Sequence, residues 1–169
     1  MLAAWAVLIA LTFSGFMALG TWQVQRLAWK HELIARVDAR VHAAPMPAPA
    51  RAEWPQVNAA DHAYRRVRVT GTFLHDQETL VQAATKLGGG YWVLTPLRLA
   101  DGATVLVNRG FVPPAQRDAA TRAAGAPRGQ TTVTGLLRIT EPGGGFLRAN
   151  QPDDDRWYSR DVAAIAAAR

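Results

Sequence analysis

The sequence predicts an N-terminal transmembrane α-helix joined to a small antiparallel all-β domain, a partly closed barrel or sandwich of about five to six strands. Three observations carry that expectation. An apolar run with no charged residue opens the chain, alternating patterns of Val, Thr, Leu and aromatics fill its middle, and Asp101-Gly102 separates two such runs as a hairpin turn.

From Leu2 to Gly20 no residue is charged, close to the roughly 20 apolar residues that span a hydrocarbon core, so residues 1–22 read as a membrane helix. A cleaved signal peptide is the competing reading: Ala18 and Gly20 give small-x-small spacing, but no basic stretch precedes the run. Residues 23–42 continue as a juxtamembrane amphipathic helix; Trp22 at the boundary shares one face with Arg26, Trp29, Leu33 and Val37, and the two indoles sit at the level of an aromatic belt. Arg26 then either snorkels to lipid phosphates and stacks on indole, or belongs to a contact face for another membrane component. Arg26, Lys30, Arg36 and Arg40 all follow the apolar run, which by the positive-inside rule alone puts them in the cytoplasm.

Residues 43–58 hold Pro45, Pro47, Pro49 and Pro55 and read as a stiff, extended connector. The β domain occupies residues 59–160. Tyr64 to Leu74 sets Val67, Val69, Gly71 and Phe73 against Arg66, Arg68 and Thr70, with Gly71 marking a bulge or a close backbone approach. Glu78 to Thr85 makes a second strand, the central hairpin two more, and Thr131 to Thr140 a fifth that repeats the Val-Thr-Gly pattern. Pro114 to Gly129 and Glu141 to Gly145 read as mobile loops. Asp161 is placed to cap a helix over residues 161–169, and an ending in mid-helix suggests a missing continuation.

With Asp101 and Gly102 as a two-residue loop, Ala100 pairs with Ala103, Leu94 opposes Arg109 and Trp92 opposes Phe111. One face then carries Trp92, Leu94, Pro96, Val105, Val107 and Phe111, the other Val93, Leu97, Leu99 and Leu106, so the hairpin is expected to be covered on both sides. The same alternation places Arg109 among Val105, Val107 and Phe111, where an unpaired charge is costly. Two readings follow: an internal ion pair with Glu78, Asp153, Asp154 or Asp155, or an anion site for a carboxylate-bearing ligand or partner.

Composition narrows the function classes. No cysteine is present, which removes disulfides, thiolate metal sites, c-type haem attachment and thiol catalysis. The net charge of +6 comes from basic residues scattered along the chain, of which only Lys30 and Lys86 are lysines; this argues against nucleic-acid binding and leaves attraction to anionic lipid. His31, His42, His62 and His75 lack the spacing of a metal pair and read as surface residues. Asp153-Asp154-Asp155 reads as a solvated loop, and no nucleophile and base are paired, so no enzyme is expected.

Five blocks in order, LGTWQVQRLAWKHELI, YRRVRVTGTF, GGGYWVLTPLRLADGATVLVNRGFVP, VTGLLR and NQPDDDRWYSRDVAAIA, resemble the SURF1/Shy1 family of membrane-anchored assembly factors of haem-copper cytochrome c oxidase. Trp22, Gln23, Arg26, Trp29 and Lys30 match its first-helix block, and Tyr64, Gly71, Pro96, Asn108, Arg109 and Gly110 match its domain blocks. The resemblance implies a protein that assists haem a delivery to nascent subunit I, or stabilises that subunit, by binding and not by turnover. It implies subunit I, haem A synthase and membrane lipid as partners. It also implies a bacterial inner membrane with the β domain on the periplasmic side, a topology that overrides the charge count. Members normally carry a second membrane helix entered through a segment with a histidine linked to haem binding, and no residue present inherits that role. The alternative is a membrane-tethered β interaction module that binds no haem.

Overall fold

The structure, a computed structural model, describes residues 1–145 and 147–169. The chain divides into two compact units, Met1–Ala44 and Pro45–Arg169.

The first unit is one continuous helix, α1 (Leu2–His42), of 41 residues. At 1.5 Å per residue it runs about 60 Å, roughly twice a hydrocarbon core. The apolar span and the amphipathic segment that follows it share this helix without a break. Among the described residues it is the one helix long and apolar enough to cross a membrane. The hydroxyls of Thr12 and Thr21 donate back to the carbonyls of Leu8 and Met17, each at 2.9 Å, which satisfies them on an apolar surface.

The second unit is built on an open mixed sheet of six strands. The Pro-spaced stretch belongs to this unit. It contributes the two-residue β1 (Met46–Pro47), which runs parallel to β2 (Arg66–Phe73), and then a short helix, α2 (Ala59–His62), capped by Asn58. Next come β3 (Thr79–Thr85), β4 (Gly88–Leu99), β5 (Thr104–Val112) and β6 (Gln130–Leu136). The two Val-Thr-Gly strands, β2 and β6, pair antiparallel with Val69 opposite Val133, and the hydroxyls of Thr70 and Thr132 meet at 2.8 Å. The long β4 carries β5 along one edge. Its other edge pairs with β3 up to Leu94 and with β2 from Leu97.

Pro96 sits where that edge changes neighbour. Its carbonyl accepts from the Leu74 N–H at 2.9 Å. In a strand a residue's nitrogen and carbonyl point to the same edge, so the N–H that proline lacks falls at the gap between β3 and β2, where no ladder bond is lost. Gly71 is required a few residues away: a Cβ there would stand 2.5 Å from the Arg98 carbonyl and 2.9 Å from Leu97. Because β5 bonds only to β4 and β6 only to β2 among the described residues, the sheet does not close into a barrel.

Each face is covered by a different segment. On one, Val81, Leu94 and Leu106 pack against Trp157 and Ile165. Trp157 is fully buried, bridges to Val81, and donates its indole N–H to Asp155 at 2.8 Å. Ile165 is supplied by α3 (Val162–Ala168), whose first turn is capped by Asp161. The N–H groups of Ala164 and Gly143 hold the Asp161 carboxyl below the usual carboxylate range, so the cap persists at neutral pH and is lost on strong acidification. Val93, Thr95 and Leu97 are buried on the other face, where residues 114–129 form short 3₁₀ turns that set Arg117 over Tyr91. They are pinned by Arg122 to Glu78, with N–O distances of 2.5 and 3.3 Å, and by His75 to the Pro127 carbonyl at 2.8 Å.

The hairpin register differs from the expected one near the turn. The loop has three residues, Ala100 to Gly102: Leu99 pairs with Ala103 by N–H to carbonyl at 2.8 Å, and Gly102 adopts φ of 79°. A type I turn closed by a left-handed Gly accommodates Asp-Gly as well as a two-residue loop does. The slip moves Val105 and Val107 to the face of Leu97 and Thr95, and Leu106 to the face of Leu94, where it joins the Trp157 core. A bulge then reverses it. Between Trp92 and Leu94 the register shifts, Gly110 takes φ of 118°, and Trp92 recovers its expected partner Phe111, ring edge to face at 5.8 Å.

Thr95, opposite Val107, is wholly buried and its hydroxyl has no hydrogen-bond partner among the described residues. Thr95→Val replaces that hydroxyl by a methyl of similar size and is expected to stabilise the domain by about 1 kcal/mol in thermal or chemical unfolding. Destabilisation would show that the hydroxyl is satisfied.

Candidate functional site

The residues singled out by sequence fall into two groups. Trp22, Gln23, Arg26, Trp29 and Lys30 are all exposed on α1. The helical period that aligns Trp22 with Arg26 also lets the guanidinium carbon lie 5.0 Å from the indole centroid. The stacked charge, flanked by Trp29 on the same face, is presented outward. His31 is half a turn away and faces the opposite side of the helix.

The second group lies in the β unit. Tyr64 enters β2 with φ of 65° and carries Arg138 over its ring at 4.6 Å. Gly71 and Pro96 set the junction of β2 with β4, and Asn108, Arg109 and Gly110 form the β5 bulge. The Asn108 side-chain carbonyl accepts from the Gly110 N–H at 2.9 Å, closing a small turn around Arg109. This turns Arg109 toward the face of Phe73 and Leu97, with its guanidinium carbon 5.5 Å from the Phe73 ring centroid. Nη1 donates to His75 Nδ1 at 3.3 Å, and the His75 ring stacks on Phe73 at 5.6 Å. A guanidinium only donates and a carbonyl only accepts. His75 therefore holds its proton on Nε2, toward Pro127, and offers Nδ1 to Arg109.

No carboxylate pairs with Arg109 among the described residues, which corrects the expected ion pair. Glu78 is taken by Arg122, Asp154 lies 3.7 Å from Arg156, and Asp155 binds Trp157 and Arg169. His75, expected at the surface, is half-buried and is the direct partner. Neither contact shows in alternation, because each joins segments far apart in the chain. A half-buried guanidinium whose face rests on Phe73 and which spends one N–H on His75 keeps its remaining donors for an outside acceptor. Carboxylate and phosphate match that fork.

The fold defines a largely β unit preceded by a membrane-competent helix and carrying guanidinium–aromatic pairs on both. A family model described as the SURF1 family matches residues 10–169, and the chain belongs to that family. It is 42% identical over 166 residues to a SURF1-like protein of Monosiga brevicollis, covering 89% of this chain and 61% of that protein. It is 37% identical over 177 residues to Surfeit locus protein 1 of Homo sapiens, covering 95% and 57%, and 37% identical over 164 residues to that of Mus musculus, covering 88% and 52%. The chain thus spans about half to three-fifths of the length of these relatives.

The Arg109 shelf is testable without a ligand. A double-mutant cycle of Arg109→Ala and Phe73→Leu is expected to show about 1 kcal/mol of coupling in unfolding free energy. Strict additivity would mean that the guanidinium does not rest on the ring.

Proposed function

We propose that this chain is a membrane-anchored assembly factor for haem-copper cytochrome c oxidase. In this reading it assists haem a delivery to nascent subunit I or holds that subunit while it matures, acting by binding and not by turnover. Membership of residues 10–169 in the SURF1 family is the observation that carries the reading. The exposed Trp22–Arg26 face and the Arg109 shelf are the contacts it assigns, the first within the membrane interface and the second to a carboxylate on the client or cargo. Haem A synthase is the partner that would supply the cargo. The setting is a bacterial inner membrane with the β unit on the periplasmic side.

The α1 face fits part of haem a. Arg26 suits a propionate, and the indoles of Trp22 and Trp29 suit the edge of a flat apolar ring. An axial ligand on that face is not among these residues, since His31 lies on the other side of the helix. That disposition favours a peripheral grip on the cargo. It also keeps a second reading in play, in which the chain is a tethered interaction module that holds subunit I and binds no haem.

Oxidase yield separates a functional role for these residues from a merely structural one. In a strain lacking the protein, the wild-type chain or its Arg26→Ala and Arg109→Ala variants are expressed and scored by oxidase activity and haem a absorbance. Losing a charge-assisted contact of about 1.5–3 kcal/mol weakens binding by roughly 10-fold or more, so each variant should lower yield severalfold at unchanged variant level. Unchanged oxidase in both strains would contradict the site assignment. Absence of haem a from the purified wild-type chain, together with loss of subunit I in the variant strains, favours the haem-free reading.

A further inference from the structure

Two leucines of the β unit stand almost wholly in solvent, Leu87 at 81% and Leu147 at 88% exposure. Leu87 occupies the tight turn between β3 and β4. Leu147, with φ of 58°, lies between two short paired strands, β7 (Gly144–Gly145) and β8 (Arg148–Ala149). Single exposed leucines are ordinary, but these two flank the same groove, because Ala84 and Gly89 beside the first and Gly145 and Arg148 beside the second line it together.

The groove holds about 400 Å³ and lies on the face of the β3–β4 hairpin opposite the Trp157 core. Its floor is small: Ala84 pairs with Gly89, and a Cβ on Gly89 would meet open space. Tyrosines flank that floor, each bearing a guanidinium. Arg117 lies over Tyr91 and Arg148 over Tyr158, both 5.4 Å from the ring centroids, and Arg148 is braced by Gln82 at 3.3 Å. Lys86, exposed in the same turn as Leu87, adds a third cation, and among the described residues no carboxylate lines the groove.

We propose that this groove and its two leucine tips seat the β unit on an anionic phospholipid surface. A headgroup phosphate sits between Arg117 and Arg148, the tyrosines lie at headgroup level, and Leu87 and Leu147 enter the acyl boundary. An extended acidic segment of a protein would also answer the positive charge, but it gives two leucines standing clear of the groove nothing to bury against. A bilayer accepts both the charge and the apolar tips. The site is too small to hold a protein on a membrane alone. A chain tethered by α1 needs only a weak second contact, since the tether keeps the surface at high effective concentration. The proposal depends on α1 lying in a bilayer and is independent of any role in oxidase assembly.

The absence of cysteine from the chain makes the test direct. The full chain with Ala84→Cys carries a fluorophore on the groove floor, and with Ala100→Cys carries it at the far end of β4; both positions are exposed. Each is reconstituted into vesicles containing headgroup spin-labelled lipid, with either phosphatidylcholine alone or about one-third phosphatidylglycerol. Quenching at position 84 is expected to exceed that at position 100 severalfold with phosphatidylglycerol and to fall in phosphatidylcholine. It should be lost with Arg117→Gln plus Arg148→Gln, and weakened with Leu87→Ser plus Leu147→Ser, while circular dichroism stays that of the parent. Equal quenching at the two positions in anionic vesicles overturns the proposal. So does an unquenched floor label that instead responds to poly-glutamate in an Arg117- and Arg148-dependent way, which assigns the groove to an acidic protein segment.

Discussion

A half-buried guanidinium with no carboxylate beside it among the described residues is the constraint around which the β unit is arranged. Arg109 is tolerable there because the β5 bulge delivers it to an aromatic shelf: Phe73 takes its face and His75 takes one N–H. Each element of the shelf has its own support. Phe73 comes from β2, fixed to β4 through the Gly71 close approach, and His75 is held in one tautomer by the Pro127 carbonyl at the end of the 114–129 excursion. Moving any of these segments exposes a charge to an apolar face without compensation, which is costly enough to make them cooperate.

The same requirement accounts for the asymmetric covering of the sheet. One face is closed by a hydrophobic cluster around Trp157, whose burial alone carries several kcal/mol, roughly the 3–5 expected for truncating a core tryptophan. The other is closed by a polar-pinned excursion, through Arg122 to Glu78 and Pro127 to His75. Tight packing on one side and hydrogen-bonded closure on the other leave the cationic residues, Arg109 and the Arg117 and Arg148 pairs, on the second side. Binding chemistry in this unit is therefore concentrated on the face that the 114–129 excursion covers only in part, and the second unit adds to what α1 presents with Trp22 and Arg26.

Much of this was legible from residues. The membrane-competent helix, the strands around Val69, Val81, Leu94, Val107 and Val133, the need to cover both faces of the hairpin, and the Asp161 cap all follow from periodicity and capping chemistry. The register was not, because Asp-Gly fits both a two-residue loop and the three-residue loop that forms, and a single extra residue inverts every side chain until Gly110 restores the pairing. Asn108 and Gly110 do carry a local signal, an Asx turn followed by a residue able to take positive φ, but alternation alone does not count an inserted residue. The parallel β1, the Glu78–Arg122 pair and the His75–Arg109 contact join distant segments, and nothing in local spacing encodes them.

The bulge is the feature on which the placement of Arg109 depends, and cross-strand nuclear Overhauser contacts in the selectively labelled full chain, held in detergent micelles, read it directly. Backbone contacts linking Leu94 to Asn108 on one side of the bulge and Trp92 to Phe111 on the other are the expected pattern. A regular ladder linking Leu94 to Arg109 would contradict it, and would return Arg109 to the face of Leu94 and the Trp157 core, away from Phe73 and His75.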